Sequence, residues 1–252
     1  MNFDPASGPD EKSQGTTETP RDASSFIAEV SHELRLPIAN LRLLVETLLD
    51  VASEDPEALK RMLTRAHQEV ERLQKLVEDL LSVGEVSSPR QELRCQWVQL
   101  EERARYSCES VKSLAKAQGV KVVLDIKPDW QVYANPDQLD QVLLNLVENA
   151  VKFTPADGSV TIRSGSQPGS FLVIDSGIGM AASEIPKIFQ RFYRIDRARS
   201  RGSTGLGLSI VKHIADLHGA KISVLSEEGR GSTFQLHFPD PRPPHQEGKE
   251  AL

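Results

Sequence analysis

The stretch 141–155 reads QVLLNLVENAVKFTP, and its apolar residues recur every three to four positions. This spacing predicts a helix over 136–153 with one buried apolar face. Asn145 and Asn149 lie four residues apart on a second face, and Lys152 follows within one further turn. Amide oxygens can coordinate Mg²⁺, and an ammonium group can contact phosphate. Taken alone, the stretch also fits an ordinary amphipathic helix, so the neighbouring segments decide its interpretation.

Two glycine-containing segments follow this helix. Asp175-Ser-Gly-Ile-Gly179 comes directly after an apolar strand, where a carboxylate can accept a hydrogen bond from a purine amino group and glycines let the backbone approach a ring. Gly202-Ser-Thr-Gly-Leu-Gly207 opens a helix, whose free amide groups suit phosphate. Its spacing matches neither a P-loop nor a Rossmann fingerprint. Each segment alone would also make a plain turn.

An arginine run separates the two glycine-containing segments. It comprises Arg191, Arg194, Arg197, Arg199 and Arg201. Such a run is usually solvated surface, but between two loops that suit a nucleotide it is consistent with a mobile lid over phosphates.

The chain from about residue 92 onward mixes helical and alternating patterns. Helices are predicted over 100–117, 136–153 and 205–218, and strands over 120–126, 159–163, 171–174, 221–225 and 233–238. The pattern predicts a domain in which helices pack against a mixed or antiparallel sheet.

Residues 23–84 instead place apolar side chains on heptad spacing, with a break at 53–56. The rows are Ile27, Leu34, Leu41 and Leu48 with Ile38 and Val45, then Leu59, Ala66, Leu73 and Leu80 with Leu63, Val70 and Val77. One antiparallel hairpin cannot cover both seams, so the pattern predicts a four-helix bundle made by two chains. The alternative is a hairpin packed on the second domain of its own chain.

The first of these helices contains VSHELRLP at residues 30–37. There His32 lies beside the apolar row, where its ring can reach solvent and act as a nucleophile, and Glu33 can accept the other ring proton. Pro37 removes the helical hydrogen bond to the carbonyl of Glu33 and predicts a kink. Alone, a His-Glu pair on a helix is usually a solvated face.

Composition restricts the class of protein. A formal charge of −6 over 252 residues argues against direct nucleic-acid binding. No run approaches the roughly 18 to 20 apolar residues of a membrane span, and the N-terminal residues lack signal-peptide character. Cys95 and Cys108 stand too far apart for a metal-binding pair. We therefore expect a cytoplasmic protein with reduced thiols and with polar, disordered tails at 1–22 and 240–252.

In their order along the chain, these segments resemble the sensor histidine kinases of two-component signalling. VSHELRLP resembles the phosphoacceptor H box, NLVENAVKFTP the N box, DSGIGM the first glycine box, IFQRFYR the F box and GSTGLGLSIV the second glycine box. The resemblance covers residues 23–239. It implies a dimerisation and histidine phosphotransfer domain over 23–88, then a catalytic ATP-binding domain over 89–239, a two-layer α/β sandwich shared with gyrase-type ATPases.

The resemblance also implies roles for residues in the H and N boxes. His32 is the phosphoacceptor and Glu33 its base. Asn149, helped by Asn145, holds Mg²⁺, and Lys152 meets phosphate.

Further roles follow from the glycine and F boxes. Asp175 reads adenine, and Arg194 meets the γ-phosphate. The residues that shape the nucleotide pocket are Gly177, Gly179, Gly205 and Gly207.

The activity implied by the resemblance is that of an ATP-dependent protein-histidine kinase. It phosphorylates its own His32 and passes the phosphoryl group to an aspartate in the receiver domain of a response regulator. Its partners are a second copy of the chain and that regulator. No sensor domain is recognisable, so the signal comes from the rest of a longer receptor or from a separate sensor protein.

One position departs from the family pattern. Four residues after the histidine, the family usually has Thr or Asn, which can orient a water for dephosphorylation of the regulator. This chain has Leu36 there. Because an isobutyl group neither donates nor accepts a hydrogen bond, we expect weak phosphatase activity.

Three other functions remain open on the residues alone. They are an ATPase of the same fold without an acceptor histidine, an anti-sigma serine kinase, and a scaffold that binds nucleotide without catalysis. The helical hairpin with His32 weighs against the first two, and Asn149, Asp175 and the glycines weigh against the third.

Overall fold

The structure, a computed structural model, describes residues 20–51, 55–86, 93–195 and 204–241. Between Val70 and Glu71 the chain divides into two compact units. Several predicted features lie wholly or mostly outside the described residues. They are the tails 1–22 and 240–252, residues 53 and 54 of the predicted break, the linker near 86–89, and Arg197, Arg199 and Arg201.

The first unit contains helix α1 (Pro20–Val51) and the first turns of helix α2 (Pro56–Val86). Asp55 caps α2, because its Oδ1 accepts the backbone N–H groups of Glu57 at 2.9 Å and Ala58 at 3.0 Å. Pro56 takes the first helical position, where its missing N–H costs nothing. The Asp-Pro sequence therefore defines where the second helix begins.

The two helices run antiparallel. Nδ2 of Asn40 on α1 donates a long hydrogen bond of 3.5 Å to Oε1 of Glu69 on α2, although 29 residues separate them along the chain. Helix α1 continues through Pro37 without ending.

Large apolar side chains remain exposed on this unit. They are Leu36, Ile38, Leu43, Val45, Leu49, Leu63 and Val70. Four of them belong to the heptad rows, so a single chain does not cover its own seams.

The second unit contains the last turns of α2 and all of the remaining elements. The helices are α3 (Leu100–Gln118), α4 (Pro136–Phe153) and α5 (Gly207–Leu217). The strands are β1 (Gln96–Gln99), β2 (Lys121–Asp125), β3 (Gln131–Ala134), β4 (Ser159–Ser164), β5 (Ser170–Asp175), β6 (Lys221–Glu227) and β7 (Gly231–His237). Among the helices described here, none combines the length and apolar character needed to cross a membrane.

The main sheet has five strands in the order β2-β4-β5-β7-β6. Strand β2 runs parallel to β4, and all other neighbours are antiparallel. Buried residues lie side by side across it, as in the row Ile162, Val173 and Phe234. Helices α3, α4 and α5 contact the sheet. Along the strands, buried residues alternate with residues that are half-buried or exposed. The unit is therefore a two-layer sandwich with one covered sheet face.

Local sequence accounts for both ends of α4. Asn135 caps the first turn, because Oδ1 of Asn135 accepts a 3.1 Å hydrogen bond from the backbone N–H of Gln138. Pro136 follows at the first position of the helix. At the other end, Oγ1 of Thr154 donates to the carbonyl oxygen of Ala150 at 2.6 Å. The helix therefore has the bounds that the periodicity predicts.

The predicted elements of this unit are confirmed, with small differences at their ends. Helix α5 begins at Gly207 rather than at residue 205, because Gly205 has a φ of +73°, outside the helical region. Strands β1 and β3 were not predicted. They form a separate antiparallel pair of four residues each, too short to show a clear alternation.

Candidate nucleotide and phosphoacceptor sites

His32 lies on α1 in the first unit, and its side chain is exposed. The neighbouring Glu33 is half-buried. The helix holds the backbone of both residues, while the imidazole remains accessible to a reaction partner. This accessibility agrees with the predicted place of His32 beside the apolar row.

In the second unit, the polar face of α4 carries the two asparagines that the sequence singled out. Nδ2 of Asn145 donates to the carbonyl oxygen of Gln141 at 3.0 Å, so the amide oxygen is the atom left for other contacts. Asn149 lies one turn further and is half-buried. No hydrogen bond joins the Asn149 side chain to any residue in the part of the chain that the structure describes.

Lys152 is held by an acidic neighbour on the same helix. Its Nζ lies 2.8 Å from Oε1 of Glu148, one turn earlier, and the other oxygen of Glu148 contacts Nζ of Lys75 from α2. Burial alone would raise the pKa of Glu148, but the two ammonium groups outweigh it and the pKa is lowered. Glu148 therefore stays a carboxylate that two lysines share.

Asp175 ends β5 and is 8% exposed. Its Oδ1 accepts the backbone N–H groups of Gly177 at 2.8 Å and Ser232 at 3.1 Å. Burial raises the pKa of the carboxyl group, and these two hydrogen bonds oppose that rise. Within residues 93–195 and 204–241 both donors use Oδ1, so Oδ2 is the oxygen available to a ligand.

The first glycine segment is packed too closely for side chains at its two glycines. A Cβ at Gly177 would lie 2.5 Å from the carbonyl oxygen of Phe153, at the end of α4. Gly179 has a φ of +63°, and a Cβ there would lie 1.9 Å from the carbonyl oxygen of Glu227. The segment is therefore held between α4 and the turn that follows β6.

The second glycine segment contacts α4 directly. A Cβ at Gly207 would lie 2.8 Å from Oδ1 of Asn145. At Gly205 a Cβ would lie 2.8 Å from backbone atoms of Phe192, in the segment IFQRFYR. Phe192 itself has a φ of +60°, a conformation that bulky residues rarely adopt. The half-buried Arg194 follows two residues later.

These contacts bring together three segments that lie far apart in the sequence. The second half of α4 meets the first glycine segment at Phe153 and the second at Asn145. The other site residues of this unit lie on the same elements, except Arg194, which lies on the segment 188–194. His32 and Glu33 lie on the other unit.

Sequence reasoning missed two residues that complete the Asp175 site. Ser232 donates its backbone N–H to the carboxylate of Asp175. Gly231 has a φ of +99°, and a Cβ at this position would lie 2.0 Å from the carbonyl oxygen of Asp175, so only glycine leaves room for that oxygen. The run GRGS at 229–232 was a possible signal, because glycines beside a strand often mark a close backbone approach.

The side chains on the polar face of α4 decide whether a metal ion could be held there. Within the described ranges, no group of three or more His, Cys, Asp or Glu side chains could hold a metal ion. Asn145 and Asn149 offer neutral amide oxygens. Mg²⁺ in proteins is usually bound by a few protein oxygens, and phosphates and water complete its coordination. The residues therefore fit a Mg²⁺ that arrives with the phosphates of a nucleotide.

Comparison with known proteins agrees with this geometry. Residues 22–88 match the model of the His Kinase A (phospho-acceptor) domain, and residues 134–242 match the histidine kinase-, DNA gyrase B- and HSP90-like ATPase model. The fold and site thus define a phosphoacceptor helical region followed by an ATPase-type domain. The chain belongs to the sensor histidine kinases of two-component systems, as its five sequence boxes predicted.

Individual relatives support the assignment. The chain is 36% identical over 222 residues to the sensor histidine kinase WalK of Bacillus subtilis, a match that covers 85% of this chain and 36% of WalK. The structure of histidine kinase ThkA in complex with response regulator protein TrrA matches with a TM-score of 0.69 and 27% identity, over 87% of this chain and 63% of that one. Full-length ShkA in complex with AMPPNP matches with a TM-score of 0.61 and 29% identity, over 86% of this chain and 45% of that one.

The chain spans only part of the curated relatives that it matches. It covers 36%, 49% and 57% of the length of three of them.

Proposed function

We propose that this chain is the catalytic core of a protein-histidine kinase, which uses Mg-ATP to phosphorylate His32 and then donates the phosphoryl group to an aspartate of a response regulator. One observation carries this conclusion. The chain exposes a histidine on a helix, and the second half of α4 meets the segment that begins at Asp175 through Phe153 and meets Gly207 through Asn145.

Asp175 recognises adenine in this proposal. Its Oδ2 accepts a hydrogen bond from the purine amino group while Oδ1 stays bonded to Gly177 and Ser232. Gly177 and Gly179 shape the loop beside the ring, because a side chain at either position would collide with the protein.

The phosphates lie toward Asn149 and the start of α5. Asn149 and Asn145 hold Mg²⁺, which neutralises charge on the phosphate oxygens, and Lys152 and Arg194 contribute further positive charge. Gly205 and Gly207 shape the turn into α5, whose first amide groups have no helical acceptors. Nζ of Lys152 lies 2.8 Å from Oε1 of Glu148. This ammonium group contacts phosphate only if it leaves Glu148 or bonds to the carboxylate and the phosphate together.

The reaction at His32 is a phosphoryl transfer to nitrogen. An unprotonated ring nitrogen attacks the γ-phosphorus, and the bond from that phosphorus to the β–γ bridging oxygen breaks with ADP as the leaving group. Glu33 accepts the proton from the other ring nitrogen as positive charge develops on the imidazole. Transfer to the regulator then breaks the N–P bond and forms an aspartyl phosphate.

The partners follow from the first unit and from the relatives. We propose a homodimer, since the exposed residues Ile38, Val45, Leu63 and Val70 form apolar rows that a second copy would cover. The receiver domain of a response regulator is the second partner, as in the complex of ThkA with TrrA. We further propose that Leu36 leaves phosphatase activity toward this regulator weak.

The test is to incubate the protein with γ-labelled ATP and Mg²⁺. The label is expected on a phosphoramidate, which is stable to base and lost in acid, and His32→Gln should abolish it. His67→Gln serves as the control because His67 also lies exposed on the hairpin, outside the H box. Undiminished labelling of His32→Gln would show that another group is the acceptor.

A second measurement separates a kinase from an ATPase without an acceptor. ATP consumption should stop after about one phosphoryl group per chain when no regulator is present. Continuous ADP release that His32→Gln leaves unchanged would instead favour the ATPase.

A further inference from the structure

The segment 181–193 leads from the first glycine segment to Arg194. Its backbone forms four consecutive turns, in each of which an N–H donates to the carbonyl oxygen three residues earlier, at 2.8 to 3.3 Å. The donors are Glu184, Lys187, Gln190 and Tyr193. Ile188, near the centre of the segment, is 5% exposed. The segment therefore follows one defined path up to Tyr193.

The side chain of Tyr193 folds back onto this segment. Its hydroxyl group donates a hydrogen bond to Oε2 of Glu184, nine residues earlier, and Nζ of Lys187 lies 3.1 Å from Oε1 of the same carboxylate. The hydrogen bond from Tyr193, and after it the contact with Lys187, lower the pKa of Glu184. Glu184 therefore remains a carboxylate, which is the form that accepts from both groups.

The residue before Tyr193 has an unfavourable backbone conformation. Phe192 has a φ of +60°, a region that a bulky residue occupies only where the surrounding structure holds it there. Backbone atoms of Phe192 lie 2.8 Å from the position that a Cβ of Gly205 would take, so the chain is closely packed on that side. The next residue is bonded to Glu184. Contacts at two consecutive residues thus maintain the left-handed turn.

The position of Arg194 depends on this turn. Arg194 follows Tyr193 directly and is half-buried. Because the backbone angles of the two preceding residues set the direction of the chain at Arg194, a return of Phe192 to a common conformation would turn the arginine away. The packing of Phe192 against Gly205 also places the turn next to the start of α5, where the proposed phosphates lie.

From these contacts we infer that Tyr193 and Glu184 position Arg194 for the γ-phosphate, because their hydrogen bond holds the left-handed turn that directs the guanidinium group. The inference rests on the proposed function, in which Arg194 contacts phosphate. Tyr193 and Glu184 touch neither the nucleotide nor His32 in this account, so they are positioning residues. Their effect should be restricted to nucleotides that carry a γ-phosphate.

The test measures the Kd of Mg-ATP and of Mg-ADP for the full chain and its variants by calorimetric titration. Tyr193→Phe keeps the ring and removes the hydroxyl group. It should raise the Kd of ATP about tenfold, the loss of one hydrogen bond to a charged group, and leave the Kd of ADP unchanged. Glu184→Leu should have the same effect, whereas Glu184→Gln keeps an acceptor oxygen and should retain the preference for ATP. Tyr106→Phe is the matched control, because Tyr106 is 62% exposed on α3.

A double-mutant cycle with Arg194→Ala identifies the route of the effect. Arg194→Ala alone should raise the Kd of ATP and leave that of ADP unchanged. In the Arg194→Ala background, Tyr193→Phe should cause no further change, because no guanidinium group remains to be positioned. If Tyr193 only stabilised the fold, Tyr193→Phe would weaken ATP and ADP binding equally and would add to Arg194→Ala, and this result would overturn the inference.

The outcomes distinguish failure of the positioning role from failure of the nucleotide site. An unchanged ratio of the two Kd values in Tyr193→Phe, with the preference for ATP lost in Arg194→Ala, would overturn the positioning role and leave the kinase proposal intact. Absence of binding of either nucleotide to the unmutated protein would overturn the nucleotide site and the inference with it. If circular dichroism shows that Tyr193→Phe is unfolded, Glu184→Leu decides, since the same change in the two Kd values is expected.

Discussion

Nε2 of His218 accepts a hydrogen bond from the backbone N–H of Asn135 at 3.1 Å. Nδ1 of the same ring lies 2.8 Å from the carbonyl oxygen of Ile214, so Nδ1 carries the proton and Nε2 is the acceptor. Asn135 caps the start of α4, and His218 ends α5. One buried, neutral imidazole therefore joins the two helices that carry most of the proposed nucleotide site.

This arrangement predicts that acid destabilises the second unit. Burial lowers the pKa of His218 below its ordinary value of 6.5. The unfolded chain therefore binds a proton more readily than the folded one, and stability falls as pH drops from about 6.5 toward the folded-state pKa. His218→Gln should cost about 1–3 kcal/mol of unfolding free energy at pH 7.5, the usual cost of leaving a buried group unpaired. Urea unfolding at pH 7.5 and pH 5.5 measures both effects, with His67→Gln as control.

The two effects should be linked. The difference in stability between the unmutated protein and His218→Gln should shrink on acidification, because only the unmutated protein loses stability through His218. A difference independent of pH would mean that the ring does not titrate in this range.

Asp175→Asn should abolish ATP binding without unfolding the domain. The new amide oxygen can still accept from Gly177 and Ser232, which bond to Oδ1 at present. The new NH₂ group replaces Oδ2, and a donor cannot accept the hydrogen bond of a purine amino group. Calorimetry should show no binding, and the dimer should persist in sedimentation. An unchanged ATP affinity would mean that this carboxylate does not contact adenine.

Two glycines with similar φ angles should respond differently to substitution by alanine. Gly205 has a φ of +73° and no room for a Cβ beside Phe192, whereas Gly229 has a φ of +78° and nothing within 4 Å. Gly229→Ala should cost about 1–2 kcal/mol of stability from backbone strain and leave ATP binding intact. Gly205→Ala must also move Phe192 or the turn into α5, so its ATP affinity should fall at least tenfold. Equal binding by the two variants would contradict a phosphate site at this turn.

The exposed apolar rows predict a dimer that a single charge can dissociate. Leu63 is 52% exposed in one chain and lies in a heptad row. Leu63→Asp would bury an unpaired carboxylate at a shared seam, which costs several kcal/mol. The neighbouring exposed Thr64 provides a control with the same new charge, Thr64→Asp. Sedimentation velocity should give a monomer for the first variant and a dimer for the second. A monomer before any mutation would refute the predicted bundle.

Leu36 predicts slow dephosphorylation of the partner regulator. Its side chain is 56% exposed, one turn after His32, and cannot orient a water molecule. Leu36→Thr should increase the loss of aspartyl phosphate from purified regulator, measured with ADP and without ATP. Leu43→Thr, at a leucine that is 64% exposed on the same helix, is the matched control. Rapid loss with the unmutated protein, with no gain in Leu36→Thr, would mean that another group positions the water.

Local patterns were sufficient for most of the elements of the second unit. Helix α4 has the predicted bounds because its caps, Asn135 with Pro136 at one end and Thr154 at the other, lie next to the apolar periodicity. Strands β1 and β3 were missed because four residues are too few for a pattern, and because their pairing joins residues on either side of α3. The start of α5 differed because the φ of Gly205 depends on close packing against Phe192.

Residue types and their spacing were enough to identify the family, the heptad helices, the chemistry of the candidate residues and their order along the chain. Each of these depends on residue type and on spacing within a few turns. The groups that surround those residues, in contrast, became known from the folded chain. Ser232 bonds to Asp175 across 57 residues, and Thr204 bonds to Asp79 across 125. Such contacts have no local signature, because they form only when the sheet and helices pack and bring distant backbone and side-chain groups within hydrogen-bonding distance.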